Sequence, residues 1–410
     1  MVRLAFVAFL PLALLTRPVS TFADDEPTVG GKTKAQWLKV LAEEQSARQR
    51  EGAVKVLTVW EPRDRAIIDA VREAMNDKAE RVRLAAVNGV SVFILTEVRE
   101  SASLLESVGR VLGNDPAEAV RQRALDLIRE IKKDEFQRKM VPFVADAMKA
   151  DKSPAIRANA AATLGRMGAN ARTVINVMIE SLKDPEPTVR AAVAEGLGRI
   201  GDEAKSAIPR LIPLLKDQDS GVRLAAAFGL GRIGPEAASA VPDLAQALAS
   251  DSDVAVRKEA ARAFALLGLD AKAAIPTLAK ALREDKSEEV RQHAALALGK
   301  MRGEEVHAVA PAMIEAMKKD SDKGVRIFVV HALGNSLGPT LRDFVKDLAE
   351  HLPKEKEGDV RLAIVQELGA LGPDAKDALP ELQRAATDVQ LTVRDAAKQA
   401  VKKVQGQQQQ

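Results

Sequence analysis

A chain of 410 residues, 46% hydrophobic and 29% charged, with 61 Lys and Arg against 58 Asp and Glu, is long enough for two or three globular domains. It contains no cysteine, which excludes disulfides and thiol chemistry, and its nearly balanced charge gives no general field for nucleic acid or an anionic membrane. With 10 Phe, 2 Trp and no Tyr it is also poorly equipped to stack bases, so nucleic-acid binding is not expected.

The first 23 residues differ in kind from the rest. Arg3 precedes an apolar run from Leu4 to Leu15, and Thr21-Phe22-Ala23 ends the segment. That order predicts a secretory signal cut before Asp24, and hence an exported chain, periplasmic, envelope-associated or secreted. The run is short for a membrane span, and no cysteine follows it to carry a lipid, so no integral span is expected after cleavage. Cleavage removes Arg3 and Arg17 and leaves 59 basic against 58 acidic residues. Residues 24–34 read as a mobile leader. Within it, Gly30-Gly31-Lys32-Thr33 imitates the end of a phosphate-binding loop, but the earlier glycine that loop needs is replaced by Glu26 and no strand precedes it. Trp37 and Leu38 open the first helix, with Trp37 as an N-terminal anchor.

From about residue 35 to 404 the chain repeats itself. DQDSGVRLAAAFGLGRIG from Asp217 has close copies in DKSPAIRANAAATLGRMG from Asp151 and DPEPTVRAAVAEGLGRIG from Asp184. Taking the residue before the conserved-frame arginine as anchor, copies fall at Val82, Val120, Ile156, Val189, Val222, Val256, Val290, Val325, Val360 and Val393, with a fainter one at Gln49. Arg follows every anchor and an acid stands five residues before each, from Glu44 and Asp77 to Asp388. A fixed period of this length is the mark of a solenoid, and it overrides the globular expectation.

Each copy predicts two helices. From the anchor, apolar residues return at +4, +5 and +8, as in Val222, Ala226, Ala227 and Leu230, which is one helical face. Gly231 to Gly234 then close the helix, since glycine tolerates positive φ. A second amphipathic run follows, with a proline at Pro142, Pro209, Pro242, Pro276, Pro311 and Pro380 that belongs to an early turn or kinks the helix. Residues 65–150 are the least regular, 151–268 nearly ideal, and irregularity returns after Asp320. Residues 405–410 form a Gln-rich tail expected to be disordered.

The frame D-x-x-x-x-V-R-x-x-A-A-x-x-L-G-x-I-G resembles the HEAT repeat, in the short form of the bilin-lyase-like HEAT proteins, here as an exported bacterial form. The resemblance implies an all-α fold, an α-α superhelix of about eleven two-helix repeats. It further implies a structural ladder in which acid and arginine of neighbouring copies pair: Asp184, Arg190, Asp217, Arg223, Asp251, Arg257, Asp285 and Arg291. Taken as exposed pairs, each is worth about 0–1 kcal/mol, so the ladder is expected to set register more than stability.

Catalytic chemistry is not indicated, and no cofactor or metal is expected. The acid pairs Asp217/Asp219, Asp251/Asp253 and Asp320/Asp322 suggest calcium loops, but the bidentate Glu is missing, with Phe228 and His331 at the twelfth positions of the first and last. Loop solvation and helix capping explain them better. None of the four histidines is followed by Glu, so the His-Glu pairs of the di-iron HEAT hydroxylases are absent, and no zinc site or activated nucleophile assembles.

What remains is a stripe at +3, +6 and +10 from each anchor, which in HEAT proteins lines the concave surface. It carries a basic row, Arg166, Arg199, Arg232, Arg262 and Lys300, two aromatics expected to see solvent, Phe228 and Phe328, and the histidines His293 and His331. Such a row is also common repeat consensus. The sharper reading is a groove for an acidic, partly apolar protein or peptide segment. The expected function is therefore a non-enzymatic, exported protein-interaction scaffold. The alternatives are a bilin-lyase-like accessory role and a structural component of the envelope.

Overall fold

The computed structural model describes residues 27–60, 64–95 and 101–406. The expected signal, 1–23, and the last four residues of the tail lie outside these. The described residues gather into two compact units, 1–98 and 99–410. Their boundary falls in the stretch where the repeat frame is weakest.

In the first unit a two-stranded antiparallel hairpin, Thr28–Val29 with Lys32–Thr33, precedes four helices: Lys34–Glu43, Ala47–Trp60, Arg65–Ala74 and Glu80–Leu95. The described part of the leader is thus locally ordered where mobility is expected. Gly30 and Gly31 both take positive φ, 57° and 75°, the combination a tight hairpin turn requires. The indole Nε1 of Trp37 donates to the Val29 carbonyl at 2.8 Å, and Lys32 lies 5.0 Å from the centre of the same ring. Thr33 caps the first helix in a reciprocal box with Gln36. The glycine-lysine-threonine string is therefore a turn and a cap.

In the second unit, each regular copy of the repeat has three parts. An anchor helix, such as Ser220–Ile233, ends at a glycine, here Gly234 with φ 84°. A seven-residue 3₁₀ segment follows, here Gly234–Ala240, and then a flanking helix, here Val241–Ser250. The 3₁₀ segment was not visible as a helix in the sequence pattern. Its logic is the three-residue turn, which puts every third side chain inward: Ala204 and Ala207, Ala237 and Ala240, Ala271 and Ala274 are all fully buried. Proline opens the flanking helices at Pro209, Pro242, Pro276 and Pro380, where its missing N–H costs nothing. Pro142 and Pro311 lie inside longer helices, Asp134–Ala150 and Glu304–Lys319, which run on without a 3₁₀ segment.

Successive anchor helices stack directly on one another. A methyl added at Gly198 would fall 2.6 Å from the Gly229 Cα, and one at Gly165 the same distance from the Gly196 Cα. Gly231 and Gly299 meet Ala263 and Ala332 in the same way. So the first glycine of Gly-x-Ile-Gly serves helix–helix approach, and the second ends the helix. The apolar face of each anchor helix, Val222, Ala226, Ala227 and Leu230 for one copy, is completely buried.

Candidate functional site

The ladder is built from the arginine after each anchor. Arg190 donates from Nε and Nη2 to the two oxygens of Asp217, at 3.0 and 2.9 Å, and from Nη1 to the carbonyls of Asp184 and Pro185. The same clamp joins Arg50 to Asp77 in the first unit. In the second unit it joins Arg121 to Asp151, Arg157 to Asp184, Arg223 to Asp251, Arg257 to Asp285, Arg291 to Asp320, Arg326 to Glu355 and Arg361 to Asp388. The faint copy at Gln49-Arg50 is therefore a full member of the series.

One expectation about the ladder is corrected. These are not exposed pairs: the side chains of Arg121 and Asp151 are 3% and 4% accessible, and those of Arg190 and Asp217 are 16% and 11%. Two-pronged, desolvated pairs with every prong satisfied cost several kcal/mol to break from one side. Burial works to raise the Asp217 carboxyl, but the Arg190 guanidinium and the Asp219 amide outweigh it and hold it below the usual carboxylate range. Arg50 does the same to Asp77 in the first place by its hydrogen bonds.

The second acid of each loop caps a helix. Asp219 accepts from the Val222 amide, Asp253 from that of Ala255, and Asp322 from that of Val325 and from Gln292. With the first acid held by arginine and the second by backbone, these loops are capping structures. No cluster of three metal-ligating side chains occurs among the described residues.

The stripe at +3, +6 and +10 lies on the anchor helices of the second unit, and its residues divide into held and free. Arg199 pairs with Glu195 one turn back on the same helix. Arg262 stands at +6 rather than +10, where its copy has the part-exposed Leu266, so the basic row is broken there. Its Nη1 donates to both oxygens of Glu259, at 3.1 and 3.2 Å, and its guanidinium carbon lies 5.9 Å from the centre of the Phe228 ring. Arg166, Arg232 and Lys300 are exposed and make no ion pair among the described residues.

Phe228 is half-buried, not solvent-facing: it lies over Gly198 of the preceding copy, which has no side chain to displace it. Phe328 is 39% exposed, as expected. His293 Nδ1 contacts the Glu289 carbonyl at 2.8 Å. His331 Nδ1 reaches Glu367 of the next copy at 2.9 Å, and that hydrogen bond raises the histidine pKa above its ordinary value.

The sequence reading placed Glu259 on the stripe without its pairing and passed over Glu367. Glu259 is only 7% exposed, and burial pushes its carboxyl upward against the pull of Arg262 and of nearby His293. Its three-residue spacing from Arg262 on a helix was an available signal, as was the four-residue spacing of Glu195 and Arg199. Glu367 had no local signal, because its partner is 36 residues away.

Paired helices stacked copy upon copy within each unit, with nine arginine–acid clamps among the described residues, define an α-α solenoid of short tandem repeats. The family model for HEAT repeats matches residues 105–184, 175–241, 241–310 and 310–402, and the chain belongs to that family. No curated protein matches the sequence. Among solved structures it is similar to importin beta, at 16% identity and a TM-score of 0.64 over 91% of this chain and 60% of that one. Kap121p bound to Pho4p gives 14% identity and 0.58, over 89% and 45%, and Kap95p with RanGDP gives 15% and 0.56, over 91% and 55%. At these identities the likeness is one of fold. The chain spans about 60% or less of the length of these relatives. A HEAT-repeat match indicates no catalytic family, and no helix among the described residues is long and apolar enough to cross a membrane.

Proposed function

We propose that this protein is an exported, non-enzymatic scaffold that binds an acidic, partly apolar protein or peptide segment along its anchor-helix face. The observation that carries this reading is the set of cations Arg166, Arg232 and Lys300, without an ion pair among the described residues, interleaved with Phe228, Leu266 and Phe328 along the anchor-helix stripe. Cations left open at matching positions of the repeat favour a partner of opposite sign. The anchor helices of the second unit meet through glycine and alanine, and that close approach supports reading this face as the inner one. That Kap121p, of similar fold, is seen bound to Pho4p agrees with protein recognition by such a fold. Export is supported by the signal-like order of residues 1–23.

The test is photo-crosslinking of the mature chain in cells, with the crosslinker placed at the exposed positions Ala162, Asn335 or, on the opposite layer, Lys205. Crosslinks to one partner from Ala162 and Asn335, lost when Arg166, Arg232 and Lys300 are all changed to Glu, are expected. Equal crosslinking from Lys205, or indifference to charge reversal, rejects the face.

A further inference from the structure

Every ladder arginine divides its guanidinium in the same way. Nη1 takes backbone carbonyls of its own copy, and the Nε–Nη2 edge clamps both oxygens of one carboxylate, as Arg223 does with Asp251 at 2.7 and 2.9 Å. Arg262 reproduces only half of that arrangement. Its Nη1 is occupied by Glu259, while Nε and Nη2 have no partner among the described residues. The side chain is nevertheless held in place: Glu259 fixes it from its own helix, and the Phe228 ring of the preceding copy lies against it.

Glu259 itself calls for an explanation. At the equivalent position the two preceding copies carry Ala192 and Ala225 and the next carries His293, and a carboxylate that is 7% exposed costs stability for which an alanine would not ask. Its one hydrogen-bonded side-chain partner is Arg262. A group that weakens the fold while orienting an open arginine edge has the character of a positioning residue.

Building on the scaffold reading above, we infer that the Nε–Nη2 edge of Arg262 receives one Asp or Glu side chain of an extended acidic peptide, in the fork geometry the ladder uses internally. Phe228 supplies an apolar platform on one side, and His293 of the next copy stands near Glu259. The occupant is a side-chain carboxylate rather than a chain end, because open cations continue on both sides: Arg166 and Arg232 in earlier copies, Lys300 in the next. Arg232, Arg262 and Lys300 stand in successive copies. At about 8–10 Å per helix, each step is about three residues of extended, polyproline-II-like chain.

The probe is a fluorescein-labelled, C-terminally amidated peptide of about four Glu-Ser-Phe units, matched to that spacing. Its controls carry Gln for Glu, with amidated and with free C-termini. The Glu peptide is expected to bind the mature protein about tenfold more tightly than either control, and Arg262→Lys, which keeps the charge and loses the fork, to forfeit about tenfold. Glu259→Gln should weaken binding while melting no lower than the natural protein, a separation that a purely structural glutamate would not show. If Arg262→Lys binds as the natural protein does while Arg232→Glu abolishes binding, the fork is wrong and the scaffold face stands. Preference for the control with a free C-terminus, or no binding of the Glu peptide at all, overturns the inference. The crosslinking experiment then judges the face separately.

Discussion

The arginine after each anchor settles more than register. Its five donors are shared between the carbonyls that its own loop leaves open and the carboxylate of the next copy, so one side chain satisfies two loops at once. Because Arg121 and Asp151 are almost wholly shielded, removing one leaves the other charged, buried and unpaired. Asp151→Ala should therefore cost about 3–5 kcal/mol in urea unfolding. A loss under about 1 kcal/mol would return the ladder to the standing of an exposed pair. The same side-chain accounting separates the stripe into parts: Arg199 is answered on its own helix, while Arg232 is left open.

Among elements, the anchor helices owe their close stacking to what their sequence omits. Gly198 sits with its Cα side against the backbone at Gly229, a contact that cannot yield by turning a rotamer. Gly198→Ala should destabilise by about 1–3 kcal/mol, since the helices must part along their length. Gly52, helical with nothing within 4 Å of an added methyl, is the internal control: Gly52→Ala should stabilise by about 0.5–1 kcal/mol. Equal effects at the two sites, measured by thermal unfolding, would show that helix propensity and not the seam sets the cost. Phe228 exploits the same seam, because the glycine beneath it leaves room for the ring.

At the scale of the whole chain, seven clamp carboxyls are shifted in one direction. Arginine hydrogen bonds hold Asp77 and Asp388 below the usual carboxylate range. At Asp184, Asp217, Asp251, Asp285 and Glu355 burial pulls upward, and arginine and backbone donors prevail. A carboxyl lowered in the folded state adds stability that is complete above its unfolded value, about 3.9 to 4.3, and is lost as pH falls toward the folded one. The melting temperature should be level from neutral pH to about 5 and then drop steeply and cooperatively below about 4. A profile that stays level to pH 2.5 would contradict this. In a repeat array the loss is shared, since each copy is stabilised chiefly by its two neighbours.

By itself the sequence determined the architecture and its beat, because period, acid and arginine recur in every copy and a helix pair that cannot bury its face alone has to stack. Even the faint copy at Arg50 obeyed that rule. Local spacing also held the signal for Glu259 with Arg262. Only the tertiary structure decided that the ladder is shielded, that the first glycine of each Gly-x-Ile-Gly is a contact surface, that Phe228 is sheltered, and that His331 meets Glu367. Each of these depends on what a neighbouring copy brings to the same place some 30 residues away, and such distances leave no trace in helical periodicity.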